Sequence, residues 1–281
     1  MNGKDLKQIA WDRRLDVLEM VYTARAGHIG GSFSCMDILV ALYYRWFDTA
    51  GIIRKDKDRS RFILSKGHCA EALYAVLADR GFFPREELRT YAAFDTHLAE
   101  HPSPGVPGIE IGTGALGHGL SAAAGMAWGL KQDGSPAGVY VLMGDGEQAE
   151  GSVWEAAMAA SKYALDNLFV FIDRNGLQIS GETETVMPLE DLEAKYRAFG
   201  WRTRRCNGHD PEAILGILRE GSSGGPEGAG KPLVILADTR KGYGSAVLEN
   251  KAECHHMIPT EEQYLRIKED IALVRREDSH G

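Results

Sequence analysis

Uninterrupted apolar runs and helical periodicity alternate along the chain. Short apolar runs, which are typical of buried parallel strands, occupy residues 61–64, 138–143, 167–173 and 233–237, with a weaker strand pattern over 201–206. Amphipathic or small-residue patterns predict helices over 4–25, 35–47, 69–80, 84–88, 120–130, 150–164, 189–199, 211–219 and 260–275. This order predicts an α/β fold, with a doubly wound, mainly parallel sheet and helices on both faces.

Composition narrows the class of protein. The 281 residues and 44% apolar content suit one large domain over 1–281, although two small domains would fit the same length. A net charge of −8 and the absence of a basic run exclude a nucleic-acid-binding surface. No segment reaches the ~18 consecutive apolar residues of a membrane span, so we expect no membrane association and a cytoplasmic location. The four cysteines lack metal-site spacing, and we expect reduced, mostly buried thiols.

A strand, helix and strand pattern surrounds the most informative polar residues. The run over 138–143 ends in Gly144-Asp145-Gly146, and the run over 167–173 ends just before Asn175. In a right-handed βαβ unit, the carboxyl ends of the two strands are neighbours, so Asp145 and Asn175 should lie close together. Oxygen ligands beside glycine amides suit a hard cation that bridges to a diphosphate, which predicts a Mg²⁺ site.

Two glycine-rich stretches precede predicted helices. In the first, three glycines surround His28, and we expect Ser32 or Ser34 to cap the next helix. The second, residues 108–119, indicates a backbone that approaches a phosphate, with a flexible surface loop as the alternative. A dinucleotide-binding fold is disfavoured because no acidic residue closes a second strand about 20 residues later. Residues 221–230, rich in glycine and serine, are predicted to form a flexible loop within the domain.

The spacing of these motifs resembles that of a known enzyme family. The Gly-Asp-Gly element is separated from Asn175 by 28 residues, as in the thiamine diphosphate motif. The motifs from the His28 loop to His255 follow the order of the amino-terminal, diphosphate-binding half of transketolases, and the resemblance covers nearly the whole chain. It implies the thiamine diphosphate-binding fold, in the form of the domain that binds the diphosphate end of the cofactor. It also implies an activity, the transfer of a two-carbon ketol unit from a ketose or ketose phosphate to an aldose.

The resemblance assigns cofactor-binding roles to specific residues. It implies that Mg²⁺, or Ca²⁺ or Mn²⁺ in its place, is held by Asp145, the Asn175 side chain and the Leu177 carbonyl. It implies contacts to thiamine diphosphate from further residues: the diphosphate meets the Gly146 amide, His68 and His255, the aminopyrimidine meets the Gly114 carbonyl, and the thiazolium ring meets Leu116 and Ile179.

The resemblance also implies catalytic residues. His28, His101 and His255 match the histidines that line the substrate channel and bind sugar hydroxyls. Glu150 matches a buried acid that couples paired active sites across the interface between protomers. Of the adjacent pair His255 and His256, the spacing to the following proline favours His255. Ala115 replaces the proline usual in the family, a change that keeps the preceding carbonyl.

Parts of the family's site have no counterpart in this sequence. The glutamate that activates the aminopyrimidine and the basic residues that grip a sugar phosphate belong to a second domain. We therefore expect a separate carboxy-terminal, pyrimidine-binding transketolase chain as partner, in an α₂β₂ assembly. The sugar itself, whether pentose phosphate, sulfosugar, aminosugar or carrier-bound acceptor, stays open.

Three other functions are weighed against this one. A 1-deoxyxylulose-5-phosphate synthase would share the histidine loop and metal motif, but residues 65–69 and 114–118 favour the transketolase side. The α subunit of a 2-oxo acid dehydrogenase has no need of these sugar-facing histidines. A non-catalytic cofactor-binding or regulatory subunit is disfavoured by the intact metal motif.

Overall fold

A five-stranded parallel sheet lies at the centre of the protein. The structure, a computed structural model, describes residues 3–222 and 229–280. The sheet strands are β1 (Arg61–Leu64), β2 (Val139–Gly144), β3 (Leu168–Arg174), β6 (Arg202–Asn207) and β7 (Leu233–Asp238), in the spatial order β1-β2-β3-β7-β6. A small antiparallel hairpin, β4 (Leu177–Gln178) with β5 (Gly181–Glu182), follows β3. All five predicted strands are present, so the α/β prediction is confirmed.

Helices surround the sheet. They are α1 (Gly3–Ala24), α2 (Ile29–Ala41), α3 (Thr49–Ile53), α4 (Ala70–Asp79), α5 (His118–Gln132), α6 (Gly151–Lys162), α7 (Thr183–Val186), α8 (Leu192–Ala198), α9 (Pro211–Ser222) and α10 (Glu261–His280). A π-helical segment, Leu42–Trp46, continues α2, and short 3₁₀ turns occupy Gly67–Cys69, Arg85–Thr90, Gly146–Ala149 and Ala252–His256. No helix in the described ranges combines the length and apolar character needed to cross a membrane.

Alternating strand residues build two hydrophobic cores on opposite faces of the sheet. On one face, Leu142 and Phe171 pack in a core with residues of α1, α2, α4, α9 and α10. On the other face, Val141 and Ile172 pack with residues of α5, α6 and α8. Successive side chains of a strand point to opposite faces, which is why these buried strands are apolar throughout. Helices on both faces confirm the doubly wound prediction.

The start of α2 differs from the prediction. The helix begins at Ile29 rather than near residue 35, and the N-cap position is His28, so the expected capping by Ser32 or Ser34 is wrong. Gly30 and Gly31 are helical residues at close contacts: a Cβ at Gly31 would lie 2.8 Å from Cys69 Sγ, and one at Gly30 would overlap Cys254. Glycine here permits close packing of α2 against neighbouring segments.

Other differences concern short elements. The helix predicted over 150–164 is α6, whereas the 3₁₀ turn before it, α3, α7 and the β4–β5 hairpin were not predicted. Of the loop predicted over 221–230, residues 223–228 lie outside the described residues, and Gly221 and Ser222 belong to α9. The carboxyl ends of β1, β2, β3 and β7 meet at one edge of the sheet, where an α/β fold binds its ligands.

Candidate functional site

A cleft of about 420 Å³ opens at the carboxyl edge of the sheet. All twelve residues predicted as site residues line it: His28, His68, His101, Gly114, Leu116, Asp145, Gly146, Glu150, Asn175, Leu177, Ile179 and His255. They come from segments up to 227 residues apart in the sequence and meet because β1, β2, β3 and β7 are parallel neighbours. The structure therefore brings the predicted site residues together in one cleft, and their roles stay predictions.

Asp145 and Asn175 lie at the ends of neighbouring strands. The Asp145 Oδ1 atom accepts a 2.8 Å hydrogen bond from the Gly146 amide, and Oδ2 accepts a 2.6 Å bond from the Gly176 amide. The Asn175 Oδ1 atom accepts a 3.1 Å bond from the Leu177 amide. Glycine and leucine amides thus fix both oxygen-bearing side chains at the cleft floor. Each oxygen retains a further lone pair.

The environment of Asp145 suits a cation. Its side chain is buried, and burial together with the nearby Asp173 carboxylate raises the pKa of Asp145 to about 6. Within residues 3–222 and 229–280, no group of three or more His, Cys, Asp or Glu side chains is placed to hold a metal ion. A magnesium site here would use one carboxylate, one amide oxygen and one carbonyl, and phosphate and water would complete it. The donor set therefore fits Mg²⁺ bound together with a diphosphate.

Four histidines face one another across the cleft. The His28 ring centroid lies 5.4 Å from that of His68, 5.9 Å from His101 and 5.5 Å from His255. Burial, assisted by the neighbouring His68, lowers the pKa of His28 to about 4. Burial and the nearby Lys241 cation lower the pKa of His255 to about 3. Both imidazoles are therefore neutral at pH 7, so each offers one donor and one acceptor nitrogen.

The structure distinguishes His255 from His256. His255 lines the cleft, and the Lys241 ammonium donates a 3.1 Å hydrogen bond to its Nδ1 atom. Because Nδ1 is the acceptor, neutral His255 carries its proton on Nε2. The His256 side chain is 52% exposed and points to Glu100, with Nε2 to Oε2 at 3.7 Å. His255 is therefore the member of the pair that belongs to the cleft.

Gly114, Leu116 and Ile179 form the less polar wall. Gly114 has a φ of +151°, and a Cβ there would lie 3.2 Å from His101 Cδ2. Glycine thus lets the backbone carry its carbonyl past the histidine. Leu116 is half-buried, whereas Ile179, between the hairpin strands, is 71% exposed. An exposed isoleucine beside a polar cleft offers apolar contact to a bound molecule.

Glu150 differs from its expected environment. It is exposed in this single chain and makes no capping bond at the start of α6, so the burial implied by the resemblance is absent here. The buried acid of this segment is Glu147, which was not predicted. Its Oε1 atom accepts bonds from the Ser65 hydroxyl and, at 2.8 Å, from the Gly117 amide, while Oε2 accepts from the Gly144 amide at 3.1 Å. Glu147 therefore joins the ends of β1 and β2 to the start of α5.

An ion pair beneath the cleft was also not predicted. Lys66 and Asp173 contact each other and are both buried. Asp173 also accepts hydrogen bonds from the Ser34 hydroxyl at 2.6 Å, the Asn175 amide at 3.3 Å and the Thr239 hydroxyl. Because the Asn175 side-chain Nδ2 group donates to Asp173, the Oδ1 atom of the same side chain must point the other way. Asp173 therefore fixes the orientation of the Asn175 side chain.

Lys241 is a second buried cation in the cleft lining. It is 1% exposed, and burial lowers its pKa. Lys66 and Lys241 each follow a strand within a few residues, at the edge of the sheet where ligands bind. This position after a strand is the sequence feature that could have identified them as site residues. Their burial depends on tertiary packing and has no local signature.

Comparisons with known proteins show which family this chain resembles. The family model described as "Transketolase, thiamine diphosphate binding domain" matches residues 6–274. The chain is 48% identical over 251 residues to one of the subunits of the apulose-4-phosphate transketolase of Phocaeicola vulgatus, covering 89% of this chain and 88% of that one. It is 41% identical over 261 residues to the 6-deoxy-6-sulfo-D-fructose transketolase subunit SqwG of Clostridium sp., covering 92% and 94%.

Solved structures give the same fold. The transketolase from Leishmania mexicana superposes with a TM-score of 0.85 at 26% sequence identity, over 97% of this chain and 44% of that one. The chain likewise covers 39% of the transketolase of Mus musculus, at 34% identity. It thus spans nearly the whole of the two named subunits and less than half of these two longer transketolases.

Proposed function

The chain belongs to the transketolase family through its thiamine diphosphate-binding domain, and we propose that it is the diphosphate-binding subunit of a two-subunit transketolase. The observation that carries the proposal is the meeting of Asp145, Asn175 and four histidines in one cleft at the carboxyl edge of the sheet. An oxygen donor set for a cation and a group of imidazoles are two elements that suit a thiamine-dependent sugar transferase. Here they lie side by side.

The cleft floor would hold the magnesium and the diphosphate. Asp145, the Asn175 side chain and the Leu177 carbonyl would bind Mg²⁺, and the Gly146 amide would donate to a phosphate oxygen. The Lys241 ammonium, buried beside His255, adds positive charge where a diphosphate brings negative charge. Desolvated opposite charges attract more strongly than exposed ones, so Lys241 strengthens anion binding at this wall.

The opposite wall would orient the organic part of the cofactor. The Gly114 carbonyl would accept a hydrogen bond from the cofactor, and Leu116 and Ile179, which also line the cleft, would offer apolar surface for a thiazolium ring. When bound, thiamine diphosphate supplies the electron sink that allows a carbon–carbon bond next to a carbonyl to break. The residues of this chain bind and orient the reacting molecules and exclude water from them.

The histidines would handle the sugar and its protons. His28 and His255 are neutral at pH 7, so each can donate one hydrogen bond to a sugar oxygen and accept another. Neutral imidazoles close to a hydroxyl are suited to take up a proton as it is released. His101, exposed at the cleft rim, is placed to meet the distal part of a sugar.

A partner chain would complete the site. Relatives similar over almost their whole length are named as subunits, and the longer transketolases contain more than twice the matched length. We propose that the partner is a carboxy-terminal transketolase chain, in an α₂β₂ assembly in which it covers the exposed Ile179 and Glu150. Both named relatives act on ketoses with an anionic group, a phosphate or a sulfonate. We propose a ketose of this kind as donor.

Reconstitution tests the proposal. The chain would be purified alone and with the product of a neighbouring gene that encodes the pyrimidine-binding half, and ketol transfer from ketose phosphates and sulfosugars would be assayed with thiamine diphosphate and Mg²⁺. We expect activity only from the mixture, and its loss on chelation of the metal. Full turnover by the single chain would refute the two-subunit arrangement, and a mixture that binds the cofactor without transferring any ketol group would refute the enzymatic proposal.

A further inference from the structure

A buried carboxyl group lies directly behind His28. Glu71, in the first turn of α4, has a fully buried side chain. Its Oε1 atom accepts a 2.6 Å hydrogen bond from the His28 backbone amide, and the Tyr91 hydroxyl donates to Oε2 at 3.3 Å. These donors and the Ser32 hydroxyl, which also faces Glu71, are neutral, and within the described ranges no Lys, Arg or His side chain forms a salt bridge with Glu71. The contact joins α4 to the residue that begins α2.

The backbone before His28 is packed onto this carboxyl group. Gly27 has a φ of +129°, and a Cβ at this position would lie 3.3 Å from Glu71 Oε1, 3.2 Å from the Tyr91 hydroxyl and 2.7 Å from Val21 Cγ2. The turn therefore has space only for glycine and rests directly on the pair of Glu71 and Tyr91. The position of the His28 Cα atom depends on that support.

The His28 ring itself is held by few polar contacts. Its Nδ1 atom is buried and has no hydrogen-bond partner in the described structure. Its neighbours in the cleft are the rings of His68, His101 and His255, and the ring of His256, which does not line the cleft, lies 4.8 Å from it. With no hydrogen bond to fix the ring at Nδ1, the residue is placed by its backbone bonds: its amide donates to Glu71, and its carbonyl accepts from the Ser32 amide at 3.2 Å.

We propose that Glu71 is a positioning residue for His28, which holds the start of α2 so that the imidazole faces the substrate side of the cleft. The inference rests on the proposed function, in which His28 forms hydrogen bonds with the sugar substrate. Glu71 touches neither cofactor nor sugar and acts only through the His28 backbone.

The charge of Glu71 also affects the cleft. Burial raises the pKa of Glu71 to about 8, so the group is largely neutral at pH 7. The titratable groups that face it are Cys69 and Tyr74 on its own segment, Tyr91, and His28. Ionisation above pH 8 places a negative charge beside His28, which raises the affinity of that imidazole for a proton.

Three variants test the role in the assembled enzyme. Glu71→Gln keeps the acceptor for the His28 amide, Glu71→Ala removes it, and Asp270→Ala is the matched control. Asp270 is also a buried carboxylate that accepts from a hydroxyl, Ser245 Oγ at 2.9 Å, and from a backbone amide, Ala246 N at 3.1 Å. It differs in its 3.0 Å ion pair with Arg266, and it does not line the cleft. Folding of each variant would be checked by circular dichroism.

We expect Glu71→Ala to lower kcat/KM for the ketose about tenfold or more, since a misplaced group costs rate even when it remains present. Thiamine diphosphate affinity, measured by calorimetry, should change less than threefold. Glu71→Gln and Asp270→Ala should stay within about threefold of the parent in kcat/KM. A folded Glu71→Ala enzyme with unchanged kcat/KM, or a Gln variant as impaired as the Ala variant, would overturn the proposal.

A spectroscopic measurement covers the case in which Glu71→Ala fails to fold. The His28 ring nitrogen signals, assigned by their absence in His28→Asn, would be followed by NMR from pH 6.5 to 9.5. We expect them to shift near pH 8 in the parent and not in Glu71→Gln. Signals that ignore this pH range in the parent would overturn the proposal. Because this measurement needs no turnover, it separates the role of Glu71 from the proposed enzymatic function, which fails if the parent complex transfers no ketol group.

Discussion

Lys66 and Asp173 form an ion pair beneath the cleft, with side chains 1% and 0% exposed. Replacing Lys66 with Met removes the only cation that contacts Asp173 in the described ranges and leaves a buried acid with neutral donors. We expect Lys66→Met to lower the free energy of unfolding by about 3–5 kcal/mol, measured by urea titration. Lys131→Met is the control, because the Lys131 and Asp166 pair is partly exposed and is worth about 1 kcal/mol or less. Equal losses in the two variants would contradict the prediction.

Asp145→Ala should abolish the stabilisation that Mg²⁺ and thiamine diphosphate give to the chain. Asp145 is the one carboxylate in the proposed donor set, and without it the cation has only neutral oxygens. In a thermal melt, we expect the parent assembly to gain several degrees with both ligands and the variant to gain none. Asp191→Asn, which keeps its capping bond to the Ala194 amide at the surface, should respond like the parent. A full ligand-induced shift in Asp145→Ala would count against the site.

His255→Asn should impair the enzyme far more than His256→Asn. His255 lies in the cleft beside Lys241, whereas His256 is half exposed beside Glu100. We expect kcat/KM for the ketose to fall by about two orders of magnitude for His255→Asn, within the range for a lost proton-transfer group, and less than threefold for His256→Asn. Steady-state kinetics of the assembled enzyme measure both. The reverse order of effects would assign the cleft role to His256.

Glu71→Gln should change how stability depends on pH. The folded-state pKa of Glu71 is raised to about 8, against about 4.3 for an exposed glutamate, so the folded chain holds a proton that the unfolded chain has lost. The resulting stabilisation is fully present below about pH 4.3 and is lost as pH rises through about 8. Relative to the Gln variant, the parent should lose roughly 1.4 kcal/mol per pH unit between pH 5 and 8. Urea titrations at four pH values measure this difference, and a constant difference would refute the assignment.

The sheet and the cleft could be predicted because their signals are local. Buried parallel strands appear as short apolar runs, and polar residues that follow such runs must meet at the carboxyl edge. Asp145 and Asn175 satisfy both conditions, so their neighbourhood followed from strand order alone. Local signals also led to a wrong prediction, that the segment with Gly30 and Gly31 is a loop, because glycine usually indicates a loop. Here glycine is required inside α2 by close packing against Cys254 and Cys69.

The supporting charges could not be predicted because their partners are distant in the sequence. Lys66 and Asp173 are 107 residues apart, and Glu71 and His28 are 43 apart. Nothing in the nearby sequence distinguishes a buried lysine from an exposed one. Likewise, the exposure of Glu150 depends on which surface packs against the start of α6. The residues around Glu150 in the sequence do not indicate that surface.

The position of β7 has a consequence for the order in which the protein acquires its ligands. This strand comes last in the sequence yet enters the sheet between β3 and β6, and Thr239, directly after it, completes the set of donors around Asp173. A chain still emerging from the ribosome therefore has an open seam beside β3 until residues beyond 239 are free. The cleft can therefore be completed only after most of the polypeptide has been synthesised.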